Sequence, residues 1–86
     1  MSIKEELGRR LDTNLAAICL KVADNGFEPE TAYAFHTRYW RLILRPDMPL
    51  RSADDREKQR NEEVSLKESM VNFLATVPPS ILIPLI

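Results

Sequence analysis

The sequence is poor in several residue types, and each scarcity excludes a class of protein. A single cysteine rules out an intrachain disulfide, and one cysteine with one histidine cannot complete a four-ligand zinc site. No apolar run approaches the ~20 residues of a membrane-spanning helix. The first twenty residues interleave charged and apolar side chains instead of presenting the apolar core of a signal peptide. We therefore expect a cytoplasmic protein with no metal, no cofactor and no membrane partner.

An excess of charge of either sign is also missing. Twelve Lys and Arg stand against thirteen Asp and Glu, a net charge of −1, which gives no bulk attraction to nucleic acid. Two glycines and a hydrophobic fraction of 44 % favour helix and exclude a wholly disordered chain. We expect residues 1–86 to form one all-α domain that completes its small core by dimerising.

The first helix is predicted over residues 3–24. Ser2 opens a capping box, and Asn25-Gly26 fits a helix stop because both residues accept the left-handed conformation. Between them, apolar residues recur every three or four positions and form one stripe: Ile3, Leu7, Leu11, Leu15, Ile18 and Val22. Gly8 lies within this pattern without interrupting it, so we predict a continuous helix.

The second helix is predicted over residues 29–45 and is the most informative segment. Pro29 suits the first helical position, and Pro46 ends the helix because it disfavours helical geometry at the preceding residue. Apolar side chains cover roughly 200° of its circumference. One side holds Ala32, Phe35, Tyr39, Leu42 and Ile43, and the other side holds Tyr33, Trp40 and Leu44. Such a helix needs partners on both sides, so we expect it at the centre of the domain.

The third helix is predicted within residues 53–77. Its first eleven residues include one alanine and no large apolar side chain, so two helix starts stay open, at Ser52 and at Ser65. The tail, residues 78–86, is rich in aliphatic residues and broken by Pro84. It must be covered, either by folding back over the second helix or by reaching into a neighbouring subunit or a partner's groove. The predicted architecture is a three-helix domain with this hydrophobic tail.

Neither His36 nor Cys19 indicates catalysis. His36 lies in the middle of the apolar arc, but no Asp, Glu, Ser or Cys lies one turn away on the same face. We therefore expect a structural histidine that hydrogen-bonds to a neighbouring element, although an apolar ligand pocket beside it would leave no trace in the sequence. Cys19 lies on the apolar side of the first helix with no Lys or His one turn away, so we expect an inert buried thiol.

Residues 22–40 resemble the plan of the helix-turn-helix motif, with a helix, a turn containing Gly26 and a second helix. Asn25, just before the turn glycine, stands where that motif normally has an apolar residue. The arginines of the second helix lie late in it, whereas bases are read near the N-terminal turns of a recognition helix. DNA is therefore a possible but disfavoured partner.

The function that these features favour is a small non-enzymatic protein-interaction module, a regulator or inhibitor that binds a larger protein. A helix-turn-helix transcriptional regulator is the alternative, and an accessory subunit of a larger enzyme is the third hypothesis. Tryptophan, tyrosine and arginine are enriched in binding hot spots. The predicted partner-binding residues lie on the second helix and in the tail: Tyr33, Arg38, Trp40, Arg41, Arg45, Ile81, Leu82, Ile83, Leu85 and Ile86.

Overall fold

The computed structural model describes residues 3–10, 12–44 and 52–86, and its regular elements there are all helical. The helices are α1 (Ile3–Gly8), α2 (Asp12–Asp24), α3 (Pro29–Leu44), α4 (Ala53–Leu74) and α5 (Pro79–Leu82), followed by a short 3₁₀ helix (Ile83–Leu85). The all-α class is confirmed, and five α-helices replace the three that were predicted. None of these described helices combines the length and the apolar character that crossing a bilayer requires.

The predicted first helix, residues 3–24, is wrong in one respect, because it is two helices. Gly8 ends α1 and Asp12 begins α2. After Gly8, the N–H groups of the next two residues donate to carbonyl oxygens three residues back, at 3.2 and 3.1 Å, which closes a turn that does not continue. Glycine is the poorest helix former after proline, so the break falls where the helix is weakest. Ser2 and Leu11 of this prediction lie outside the described residues.

α2 and α3 form an antiparallel hairpin joined by residues 25–28. α2 ends before Asn25-Gly26 as predicted, and Gly26 adopts the left-handed conformation with φ of 84°. Far from this turn, the hydroxyl groups of Thr13 and Tyr39 form a hydrogen bond of 2.7 Å. Thr13 lies in the first turn of α2 and Tyr39 lies near the end of α3, so the two helices run side by side over most of their length.

α4 runs antiparallel to α3 and packs on it through its second half. The rings of Phe35 and Phe73 lie 5.4 Å apart. The Ser52 hydroxyl accepts a hydrogen bond of 3.2 Å from the N–H of Asp55, which places the helix start at the first of the two predicted positions. The first three turns of α4 contain no buried residue, whereas the second half buries Leu66, Met70, Val71 and Leu74. Residues 45–51, which connect α3 to Ser52, lie outside the described residues.

The core lies on one side of α3, where α3 packs against α2 and α4, and the tail adds to this core from beside α2. Its largest fully buried side chains come from four of the five α-helices: Leu7, Leu15, Cys19, Val22, Met70, Leu74 and Leu82. α1 reaches this core through Leu7 and packs against α4. The hydrophobic centre is thus shared between the hairpin and the elements around it.

The tail packs against the core of its own chain, but it does not lie over the second side of α3, which was one of the positions left open for it. Pro78 directs the chain away from α4, and its carbonyl oxygen accepts hydrogen bonds from Ile81 and Leu82 at 2.9 and 3.0 Å. This starts the short helix α5 instead of an extended segment. Leu82 is fully buried, and the 3₁₀ helix that follows packs on α2. The reason is geometric, since two prolines fix the exit direction of the chain before its apolar residues can reach α3.

Candidate functional site

The two apolar sides of α3 have different surroundings in a single chain. Ala32, Tyr39 and Leu42 are buried, and the half-buried Phe35 packs against Phe73. On the other side, the exposed fractions are 57 % for Tyr33, 37 % for Trp40 and 64 % for Leu44. Ile43, which we had placed on the first side, is also exposed, at 41 %, and lies with this second group. We call Tyr33, His36, Trp40, Ile43 and Leu44 the aromatic face. The described residues pack the first side of α3 and leave this face to solvent.

Trp40 is the best fixed side chain of the aromatic face. Its indole N–H donates a hydrogen bond of 3.1 Å to Nε2 of His36, one helical turn earlier. The ring of Tyr39 meets it edge-on, with 5.2 Å between ring centroids. Nε2 of His36 is the acceptor in this bond. The expectation that His36 bonds to a neighbouring element is therefore wrong, since its partner lies on the same helix.

Arg38 and Arg41 lie along one edge of the aromatic face, and both are exposed. The guanidinium carbon of Arg38 lies 5.8 Å from the centre of the Phe35 ring, a cation–π contact that holds it along the helix. Within the described residues, neither arginine of this edge forms a salt bridge with a carboxylate, whereas Arg10 pairs with Glu6 at 3.0 Å. Arg45, the third predicted arginine, lies outside the described residues.

The surface beside these arginines changes sign along α3. One shallow depression is lined by Asp24 and Glu30 at one end, by Tyr33, Ala34 and Thr37 in the middle, and by Arg38 and Arg41 at the other end. A second depression continues around the helix over Tyr33, His36, Trp40 and Leu44. Both are open to solvent and neither encloses a cavity. Such a surface fits a macromolecule better than a small ligand.

The tail residues that we predicted to bind a partner lie elsewhere. Leu82 is fully buried, and Ile81, Leu85 and Ile86 pack partly buried against the core. Ile83 is exposed at 56 %. Four of the five predicted tail residues thus stabilise their own chain, and none of the five lines the depressions on α3.

Sequence analysis missed Ala34 and Thr37, which line the middle of the surface, and it did not single out Leu44 as a binding residue. Leu44 could have been included from the sequence, since it falls on the same side of α3 as Tyr33 and Trp40. Ala34 and Thr37 could not, because small residues on an exposed helix edge are common and only their neighbours in the folded structure distinguish them.

Cys19 is buried in the core, as predicted, and takes no part in this surface. Its side chain is fully covered, and burial raises the pKa of the thiol to about 12. The thiolate is the reactive form of cysteine. Cys19 is therefore inert in the folded protein.

The α2–α3 hairpin also differs from the helix-turn-helix arrangement that residues 22–40 resemble. In that motif the two helices cross at about 90–120°. Here the bond between Thr13 and Tyr39 holds the helices together ten or more residues from the turn. One long side of α3 is buried by this pairing, and the exposed side carries aromatic residues as well as arginines.

Across residues 3–10, 12–44 and 52–86, no group of three or more His, Cys, Asp or Glu side chains is placed to hold a metal ion. The polar groups of the aromatic face are an indole N–H, an imidazole and a phenol, with arginines at its edge.

No protein-family model matches this sequence, and no curated protein or solved structure is significantly similar to it.

Proposed function

We propose that this chain is a small non-enzymatic protein-interaction module, a regulator or inhibitor that acts by binding a larger protein through the aromatic face of α3. The observation that carries the proposal is the exposure of Tyr33, Trp40 and Leu44 side by side on one rigid helix. Scattered apolar residues on a surface are ordinary, but a contiguous aromatic patch is typical of a binding site.

The composition of the surface favours a protein partner. Tryptophan, tyrosine and arginine are the residue types that dominate binding hot spots. Trp40 is already oriented by its bond to His36, so less side-chain entropy is lost on binding. Arg38 and Arg41 add charge at the rim, where it directs association more than it adds affinity. A nucleic-acid surface would carry more uniform positive charge, whereas Asp24 and Glu30 lie on this one.

The module would act by occupying its partner's surface. The residues of the aromatic face span three turns of α3, or ~17 Å along the helix axis. This length suits docking into a hydrophobic groove, a mode in which anchors recur at i, i+3, i+4 and i+7. Tyr33, His36 and Trp40 lie at i, i+3 and i+7, and Leu44 continues the row four residues later. An occupied groove is closed to the partner's other ligands, which is how such a protein regulates or inhibits.

Affinity capture with the purified chain, using extract of its source organism, tests this proposal. We expect a stoichiometric protein partner that is retained by the wild type and lost with the double variant Tyr33→Ala, Trp40→Ala. Val64→Ala is the matched control, because Val64 is 58 % exposed but lies on α4. It should retain the partner. Equal recovery with all three proteins, or no partner in any of them, contradicts the proposal.

A further inference from the structure

One stripe of α3 has the pattern of a surface that binds its own copy. Glu30, Ala34, Thr37 and Arg41 recur at spacings of four, three and four residues and so share one edge of the helix. The first and last are charged with opposite signs, and the two between them are small. We call these four residues the α3 stripe. They lie in the same shallow depression, beside Tyr33.

We infer that the α3 stripe binds the α3 stripe of a second copy of this chain in antiparallel orientation, with Glu30 of each copy facing Arg41 of the other. This inference rests on the proposed function, because it assigns a second copy of the chain to the same exposed side of α3. The second copy occupies this side when the larger protein is not bound, so the two compete.

Charge complementarity is the reason for assigning a second copy of the chain to this stripe. Glu30 and Arg41 are both exposed, and within the described residues neither forms a salt bridge. They cannot pair with each other, because eleven residues separate them by ~16 Å along the helix. A two-fold axis that passes between Ala34 and Thr37 places Glu30 of each copy next to Arg41 of the other, so two salt bridges form at once. A parallel arrangement would set like charges against each other.

The size of the side chains supports the same register. Around the axis, Ala34 of one copy faces Thr37 of the other, and small residues let two helices approach at the close end of the 8–10 Å range. In an antiparallel pair of identical helices, each flank of one helix lies beside the same flank of the other helix. Tyr33 of one copy therefore lies near Trp40 of the other, and the aromatic side chains that a single chain leaves exposed become partly covered.

Charge reversal tests the pairing directly, with sedimentation equilibrium of the full chain over a range of concentrations. The wild type should dimerise. Glu30→Arg alone, or Arg41→Glu alone, sets like charges together at both ends and should weaken dimerisation by at least ~10-fold. The double variant restores both pairs in reverse and should dimerise like the wild type. An equimolar mixture of the two single variants should form heterodimers for the same reason.

The matched control reverses charges on the exposed half of α4, where Glu57→Arg and Arg60→Glu should leave dimerisation unchanged. Circular dichroism confirms that each variant keeps its helix content. A wild type that stays monomeric at every concentration overturns the inference, and so does a double variant that fails to recover. Capture of a larger protein that depends on Trp40, by a chain that stays monomeric, would leave the proposed function standing and this inference refuted.

Discussion

The two long sides of α3 carry similar residues and have different roles. Tyr39 on one side and Tyr33 on the other lie six residues apart, yet Tyr39 is 6 % exposed and hydrogen-bonded to Thr13, whereas Tyr33 is 57 % exposed. Both sides are apolar enough to need cover. The hydrophobic pattern of a helix thus measures how much surface it must bury, and the rest of the chain decides which part is buried within the fold.

The strongest test of this comparison is a matched pair of tyrosine substitutions. Tyr39→Ala removes a buried ring and leaves the Thr13 hydroxyl without its partner, so we expect a loss of about 3–5 kcal/mol in unfolding free energy. Tyr33→Ala should change it by less than ~0.5 kcal/mol. Denaturant titration at the lowest workable protein concentration measures both while keeping self-association out. Equal losses for the two variants would show that both sides are packed within one chain.

A second test extends the contrast from packing to ionisation. Burial raises the pKa of Cys19 from 9.0 to about 12, so the unfolded chain releases the thiol proton at a lower pH than the folded chain does. Stability from this group is complete below pH 9 and falls as the pH rises from 9 to 12, by about 1.4 kcal/mol for each unit.

Comparison with Cys19→Ala isolates this effect, because the two proteins share every other titratable group. The variant should be about 1 kcal/mol less stable at neutral pH, and its disadvantage should shrink above pH 9. Chemical denaturation at several pH values gives both curves. If the two curves stay parallel up to pH 11, the thiol is accessible to solvent and the core is not closed around it.

Local rules predicted the parts of the fold that depend on neighbouring residues. The end of α2 at Asn25-Gly26 and the extent of α3 to Leu44 follow from glycine and proline. The start of α4 lies at Ser52, one of the two caps that local rules left open. The break after Gly8 did not follow, because a glycine costs a helix only about 1 kcal/mol and the balance depends on packing of the flanking segments. Sequence pattern alone does not resolve differences of that size.

The candidate binding surface was predictable only in part, for a related reason. Trp40 and Tyr33 stood out by residue type and by their place on α3, whereas the tail residues stood out by apolarity alone. Apolarity does not distinguish a residue that covers its own core, such as Leu82, from one that covers a partner. The direction set by Pro78-Pro79 decided between them, and this direction is a property of the folded chain.

The smallest expected effect concerns the hydrogen bond that orients Trp40 on the aromatic face. His36→Phe keeps a ring but removes the acceptor for the Trp40 indole N–H. Because Trp40 is 37 % exposed, water can replace that bond, and stability should change by less than ~0.5 kcal/mol. Trp40 should nevertheless become more mobile, with lower fluorescence anisotropy, and binding through the aromatic face should weaken several-fold because its orientation must then be fixed on binding.

His36→Gln is the matched variant, since its amide oxygen can accept the same hydrogen bond without an imidazole ring. If the bond is what orients Trp40, Gln should keep both anisotropy and affinity closer to the wild type than Phe does. The reverse order would mean that ring packing between positions 36 and 40, where the centroids lie 6.3 Å apart, does the orienting. In that case ring contacts orient the side chains on both sides of α3. The two sides would then differ only in whether other parts of the chain pack against them.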